Sequence, residues 1–133
     1  MNKNGVLTLN ESTLYMNQGV RGGVIRLEGG TATISRSTLY NNHATDDGGA
    51  ISNGSSSSFS LINSTISGNT AANDGGGIRI ASGGGTIQSS TIVLNSLTGM
   101  SGTREGGGIM LNSGSTLSIG YTIVASNSAP NGG

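Results

Sequence analysis

Few side chains in this 133-residue chain can do acid–base or ligand chemistry: Glu11, Glu28, Asp46, Asp47, Asp74 and Glu105, a single histidine, His43, and several rows of threonine. Asp47, Asp74 and Glu105 each stand directly before a pair of glycines, and Arg21 holds the same position ahead of Gly22 and Gly23. If those positions stack, the three carboxylates form an acidic stripe, and hard oxygen ligands at such spacing suit Ca²⁺. They are the candidate metal ligands. A row of solvated loop charges that discourages aggregation is the simpler role, and the Gly-Gly-x-Gly-x-Asp nonapeptide of calcium-binding β-rolls is missing. Paired carboxylates also serve sugar-cleaving enzymes, but none of the six is expected at an outward position of a strand, so no catalytic residue and no cofactor is assigned. His43 has no Ser or Cys partner in a matching position and reads as a loop residue.

The threonines form two rows. Thr8, Thr33 and Thr86 alternate with Ser60 and Ser118 in one, and Thr13, Thr38, Thr65 and Thr91 make up the other. These are the candidate surface-binding residues, because flat threonine arrays on β-solenoids are the mark of ice-binding proteins. A corner expected at Asn10-Glu11 puts the rows on different faces, and Tyr15, Tyr40, Val93 and Ala125 make the second uneven. A Thr-x-Thr rank occurs only at Thr31-Ala32-Thr33. Cross-strand stacking of threonines for stability is the plain alternative.

Rows presuppose a repeat, and the chain has one. A single phrase recurs five times without a gap, at 7–17, 32–42, 59–69, 85–95 and 117–127, in steps of 25, 27, 26 and 32 residues, the length of one solenoid coil. Leu9, Ile34, Leu61, Ile87 and Ile119 form one aliphatic column, and Leu14, Leu39, Ile66, Ile92 and Val124 another. Ser and Thr flank them, an alternation with the period of a strand. A second phrase follows at variable distance: Gly22-Gly-Val-Ile25, Gly48-Gly-Ala-Ile51, Gly75-Gly-Gly-Ile78 and Gly106-Gly-Gly-Ile109, which opens a third short strand per coil. Length varies only between the Asn and the glycine pair and in the turn after the third strand, where insertions leave stacked strands in register. Asn17, Asn42, Asn69, Asn95 and Asn127 occupy one column and are expected to form a hydrogen-bonded ladder at a bend. Ser12, Ser37, Ser64, Ser90 and Thr122 are expected to form a second.

The fold this predicts is all-β: a right-handed, single-stranded parallel β-helix of about five coils with three short strands per coil. Composition fits it. Glycine supplies 25 residues while aromatics are 3% and charged residues 9%, so a repetitive architecture replaces an ordinary globular core. Six basic and six acidic residues balance, which argues against a nucleic-acid partner. The absence of cysteine excludes disulfides and thiolate metal sites. No run of about 18 apolar residues that could span a membrane occurs, and residues 1–5 lack the apolar segment of a secretory signal.

The phrases Asn63-Ser-Thr-Ile-Ser-Gly-Asn69 followed by Gly75-Gly-Gly-Ile78, and Tyr121-Thr-Ile-Val-Ala-Ser-Asn127, resemble bacterial surface β-helix repeat proteins of the polymorphic outer membrane protein and choice-of-anchor type. The resemblance implies a secreted or surface-displayed solenoid, extracellular or on the cell surface, used in adhesion or as passenger scaffolding. One solenoid domain over 1–133 is expected. Aligning Met1 with Leu111 places both ends inside a coil, as in a segment of a longer solenoid or in copies that stack end to end into a filament. The functional expectation is a non-enzymatic structural or adhesive module presenting hydroxyl- and amide-rich faces to a surface, a glycan or a neighbouring copy. An ice-binding solenoid and a carbohydrate-binding or carbohydrate-active β-helix are the alternatives.

Overall fold

A computed structural model describes residues 1–100 and 104–130. Every element is a strand and every pairing is parallel, in four sheets that run up the molecule. The first sheet stacks Asn2–Lys3, Ile25–Glu28, Ile51–Gly54, Ile78–Ile80 and Ile109–Leu111. The second stacks Val6–Asn10, Thr31–Ser35, Ser58–Ile62, Gly84–Gln88 and Thr116–Gly120, and the third Thr13–Tyr15, Thr38–Tyr40, Thr65–Ser67, Thr91–Val93 and Ile123–Ala125. The chain is a parallel β-solenoid. Register follows the phrase alignment throughout, with Leu9↔Ile34, Ile34↔Leu61, Leu61↔Ile87 and Ile87↔Ile119 paired in the second sheet. Leu14, Leu39, Ile66, Ile92 and Val124 pair in the same way in the third.

Two details differ from expectation. A fourth sheet of two-residue strands, Gln18–Gly19, His43–Ala44, Thr70–Ala71 and Ser96–Leu97, lies between the Asn ladder and the glycine pair, so a coil has four strands rather than three. Its inward column, Gly19, Ala44, Ala71 and Leu97, is too small and too short to give a visible alternation. Asn2 rather than Met1 stands in the column of Leu27, Asn53, Ile80 and Leu111. The gapless alignment borrowed the longer turn that precedes Leu117, and the turn at Asn4-Gly5 is one residue shorter.

Inside, aliphatic side chains lie like on like. Leu27, Ile34, Leu39, Ile51, Leu61, Ile66, Ile78, Ile80, Ile87 and Ile92 are all wholly buried. Phe59 is the one aromatic in this core, and Gly85 directly above it makes room: a Cβ there would stand 2.3 Å from the Phe59 ring.

Four kinds of corner turn the chain, each with left-handed residues; the one between the first and second sheets holds Asn4, Gly29 and Gly30, Ser55 and Ser56, Gly83 and Gly114. Glu11, Arg36, Asn63, Ser89 and Tyr121 have φ from 47 to 50° just before the serine column. Met16, Asn41, Leu94 and Ser126 have φ from 52 to 58°, with Gly68 at 63°, just before the asparagine column. Gly22, Gly48, Gly75 and Gly106 make the third corner. This one demands glycine in every coil on space as well as φ, because a Cβ would meet the carbonyl oxygen three residues on at 2.0–2.3 Å. The second glycine of each pair lets successive coils touch backbone to backbone: a Cβ on Gly49 would lie 1.9 Å from the Gly76 carbonyl oxygen.

Candidate functional site

The best-defined polar feature is the asparagine ladder. In each coil the backbone N–H and the Nδ2 of one Asn both donate to the Oδ1 of the Asn above: Asn42 to Asn69 at 2.9 Å for both, and Asn69 to Asn95 at 3.0 and 2.9 Å. The second Nδ2 hydrogen reaches down to a carbonyl of the coil below, from Asn69 to Leu39, Asn95 to Ile66 and Asn127 to Ile92. Each interior amide therefore has its hydrogens and its oxygen engaged, which is what lets Asn42, Asn69 and Asn95 lie buried beside an apolar core. The serine column works alike. Ser12 N–H donates to Ser37 Oγ, Ser37 to Ser64, Ser64 to Ser90 and Ser90 to Thr122, and each hydroxyl donates to the carbonyl two residues earlier. Both ladders hold the bends and leave no free group in the interior coils for a ligand.

The acidic stripe forms in the order expected. Gly22, Gly48 and Gly75 donate in turn to the carbonyls of Asp47, Asp74 and Glu105, so Arg21, Asp47, Asp74 and Glu105 lie in one column. What faces the carboxylates is arginine. Arg79, from the outward side of the first sheet, places Nη1 3.2 Å from Asp47 and Nε 3.9 Å from Asp74. Arg21 Nε sits 2.8 Å from Asp46 and 3.6 Å from Asp47. Asp47 Oδ1 also accepts from the Asp74 N–H, and Asp74 Oδ1 from the Glu105 N–H. Among the described residues no three His, Cys, Asp or Glu side chains converge as metal ligands. Burial pushes the Asp47 carboxyl above the ordinary range, more than Arg79 pulls it down. Burial also opposes ionisation of Asp46, but hydrogen bonds from Arg21 and Asn73 and the charges of Arg21 and Arg79 hold it below the ordinary value. The same hydrogen bond raises Arg21.

The other carboxylates are also tied to guanidinium groups. Arg36 Nε lies 2.9 Å from Glu11, and Arg26 bonds Glu28 and holds it below the usual carboxylate range. Glu28 corrects one expectation: it closes the strand Ile25–Glu28 on the outward side, because that strand runs one residue beyond its inward Leu27. Sequence reasoning missed Arg79 as the partner of the stripe. Its position between inward Ile78 and Ile80 was the available signal. His43 Nδ1 lies 2.8 Å from Thr70 Oγ1 in the fourth sheet, a strand residue rather than a loop one.

The threonine rows fall on separate faces, divided by the corner at Glu11. Thr8, Thr33, Ser60, Thr86 and Ser118 stack in the second sheet and Thr13, Thr38, Thr65 and Thr91 in the third. The register also aligns a flanking outward column, Thr31, Ser58, Gly84 and Thr116, so hydroxyl ranks stand at Thr31/Thr33, Ser58/Ser60 and Thr116/Ser118. No outward position of the second or third sheet carries a charge. Tyr15 and Tyr40 stack on the third sheet with ring centres 5.1 Å apart.

Fold, ladders and paired glycines together define a structural repeat module built as a parallel β-solenoid. Two stretches, 36–54 and 63–81, match the Chlamydia polymorphic membrane protein repeat. Each begins at the left-handed corner before the serine ladder and closes at the end of a first-sheet strand, so it spans both ladders and the glycine pair. Over these two stretches the chain is similar to that repeat, and together with the solenoid they fit a surface structural repeat module of polymorphic outer membrane protein type. No curated protein and no solved structure matches it. Among the described residues no helix is long and apolar enough to cross a membrane.

Proposed function

We propose that this solenoid is a non-enzymatic adhesive scaffold whose second and third sheets are contact faces for an uncharged extracellular surface, a neutral glycan above all. The observation that carries the reading is the segregation of charge: Arg and carboxylate side chains lie at corners and on the first sheet, while the two hydroxyl-rich sheets carry none. Such a face offers many weak, identical hydrogen-bonding groups about 4.8 Å apart along the axis and no electrostatic preference. A titration on immobilised neutral polysaccharide and on heparin tests this. Retention on the neutral polymer that weakens when Thr33 and Thr86 are both changed to Lys supports it, and binding only to heparin refutes it. The hydroxyl ranks of the second sheet favour a second reading, ice binding, because they are broader than the single rank at Thr31-Ala32-Thr33. Thermal hysteresis at high protein concentration supports that reading, and its absence removes it.

A further inference from the structure

We propose that the second sheet seats one extended, neutral, β-1,4-linked glycan chain laid parallel to the solenoid axis, with one sugar ring to each coil. The inference rests on the adhesive reading and narrows it to one sheet, one linkage class and one direction. Its support is the build of that face. The strands of the second sheet are five residues long in every coil, so each coil turns three side chains outward there. The middle column is Thr8, Thr33, Ser60, Thr86 and Ser118, an unbroken line of small hydroxyl side chains. Ser58 and Gly84 keep one side of that line low, while Ile62 and Gln88 stand on the side next to the corner. None of the outward positions of the sheet is charged. The face is a straight, uncharged track with a raised edge.

The hydroxyls of this track are available in a way that those of the serine ladder are not. Ser37, Ser64 and Ser90 each give their hydrogen to a carbonyl and accept from a backbone N–H. On the track Thr86 Oγ1 donates to Ser60 Oγ at 3.1 Å, but among the described residues Thr8, Thr33 and Ser118 bond no protein group through their hydroxyls. Identical donors and acceptors in a straight line about 4.8 Å apart suit a polymer that is itself straight and whose repeat is close to that rise. A β-1,4-linked pyranose chain is such a ribbon: its ring length is slightly above the rise of a coil, and its equatorial hydroxyls run along both edges. An α-1,4-linked chain coils, so its successive rings leave the line. An anionic polysaccharide finds no cation on the track to hold it. The third sheet is the poorer seat. Tyr15 and Tyr40 stack on it with ring centres 5.1 Å apart, and Ser67 and Val93 follow in the same column, so its height changes from coil to coil.

Titration with soluble cello-oligosaccharides and malto-oligosaccharides of equal length, followed by nuclear magnetic resonance shifts, tests it, because both series are built from glucose and only the linkage differs. Affinity for the cello series should rise by a factor on the order of two to five for each added sugar from the dimer upward. The malto series should bind more weakly and show no such rise. Thr86→Lys, at an exposed position within the line, should stop the rise at a shorter oligosaccharide while the strand spectrum and melting temperature stay those of the parent. Equal affinity for the two series overturns the proposal, as does an affinity that does not depend on length. So does loss of binding with Thr65→Lys in the third sheet but not with Thr86→Lys. Each of these outcomes leaves the adhesive reading to its own test on neutral polysaccharide. Failure of both series to bind, together with no retention on any neutral polysaccharide, overturns the two together.

Discussion

Replacing Asn69 with alanine removes the middle rung of the ladder, and its cost can be built from the bonds it makes. Asn69 Oδ1 accepts from both the N–H and the Nδ2 of Asn42, and Asn69 Nδ2 donates to Leu39 O and to Asn95 Oδ1. Truncation leaves the Asn42 N–H and one Asn42 amide hydrogen without partners and takes the side-chain donor from the Leu39 carbonyl, which stays in its sheet, while Asn95 Oδ1 keeps the bond from the Asn69 backbone. Asn42 and Asn69 are both buried, so water does not readily take over. Each buried group left unmade costs about 1–3 kcal/mol. Relaxation and partial hydration recover some of that, so the expected loss is about 3–5 kcal/mol, a large share of the stability of a domain this size.

The comparison that isolates the ladder is Asn17→Ala. Asn17 is exposed, among the described residues nothing donates to its Oδ1, and its backbone N–H still reaches Asn42 Oδ1 after truncation. Only the bonds from its Nδ2 go, to Tyr15 O and to Asn42 Oδ1, both in contact with solvent, for about 1 kcal/mol or less. Urea denaturation of both variants, followed by far-ultraviolet circular dichroism, reads the two losses. Equal losses at the two positions, or an Asn69→Ala chain within about 0.5 kcal/mol of the parent at unchanged m-value, would refute the claim that buried ladder amides hold the bends.

Ile66→Asp buries an unpaired carboxylate in a wholly closed column. It should abolish cooperative unfolding, and a soluble variant with native strand content would show that this position is not inside. Gly85→Ala drives a methyl into the Phe59 ring and should cost about 1–3 kcal/mol; the loss should shrink in a Phe59→Leu background, and a double-mutant cycle without coupling would contradict the packing. Leu94 holds a φ of 58° while 64% exposed. Leu94→Asn should therefore raise the melting temperature, by up to about 1 kcal/mol of relieved backbone cost, and a lowered one would count against strain at that corner. Asp46 is held below its ordinary value of 3.8, so its ionised form contributes stability above that pH which is lost as pH falls through the lower folded value. Asp46→Asn should flatten the acid limb of the stability curve, and an unchanged limb would mean that Arg21 and Asn73 add nothing. Asp47, displaced upward, acts in the opposite sense just above 3.8.

The columns were legible because a coil must put the same kind of side chain in the same place each time. Leu9, Leu14, Asn17 and Ser12 recur at fixed spacing, and fixed spacing gives register directly. The fourth sheet was hidden because Gly19, Ala44 and Ala71 bury little area and show no alternation over two residues. The left-handed corners were hidden for a different reason. Their side chains, such as Glu11, Arg36, Met16 and Leu94, point to solvent, and nothing in their identity marks a positive φ. The conformation there is imposed by the ladder residue that follows, whose hydrogen bonds hold the bend whatever precedes it. Arg79 was missed because an outward residue is constrained only by what crosses the corner to meet it, and the distance from Asp47 in sequence carries no periodic sign.

A stack of near-identical rungs also limits what kind of site the molecule can offer. Its outward hydroxyl groups come in rows, Thr8 to Ser118 and Thr13 to Thr91. A single threonine contact in such a row is worth less than about 1 kcal/mol, so one rung holds nothing by itself. Binding strength must come from engaging many rungs at once, which requires a partner that is itself extended and repetitive along the axis. Under the adhesive proposal, retention on a neutral polymer should therefore depend on the number of rungs engaged at once, so Thr33→Lys and Thr86→Lys together should lower it by more than the sum of the two separate losses.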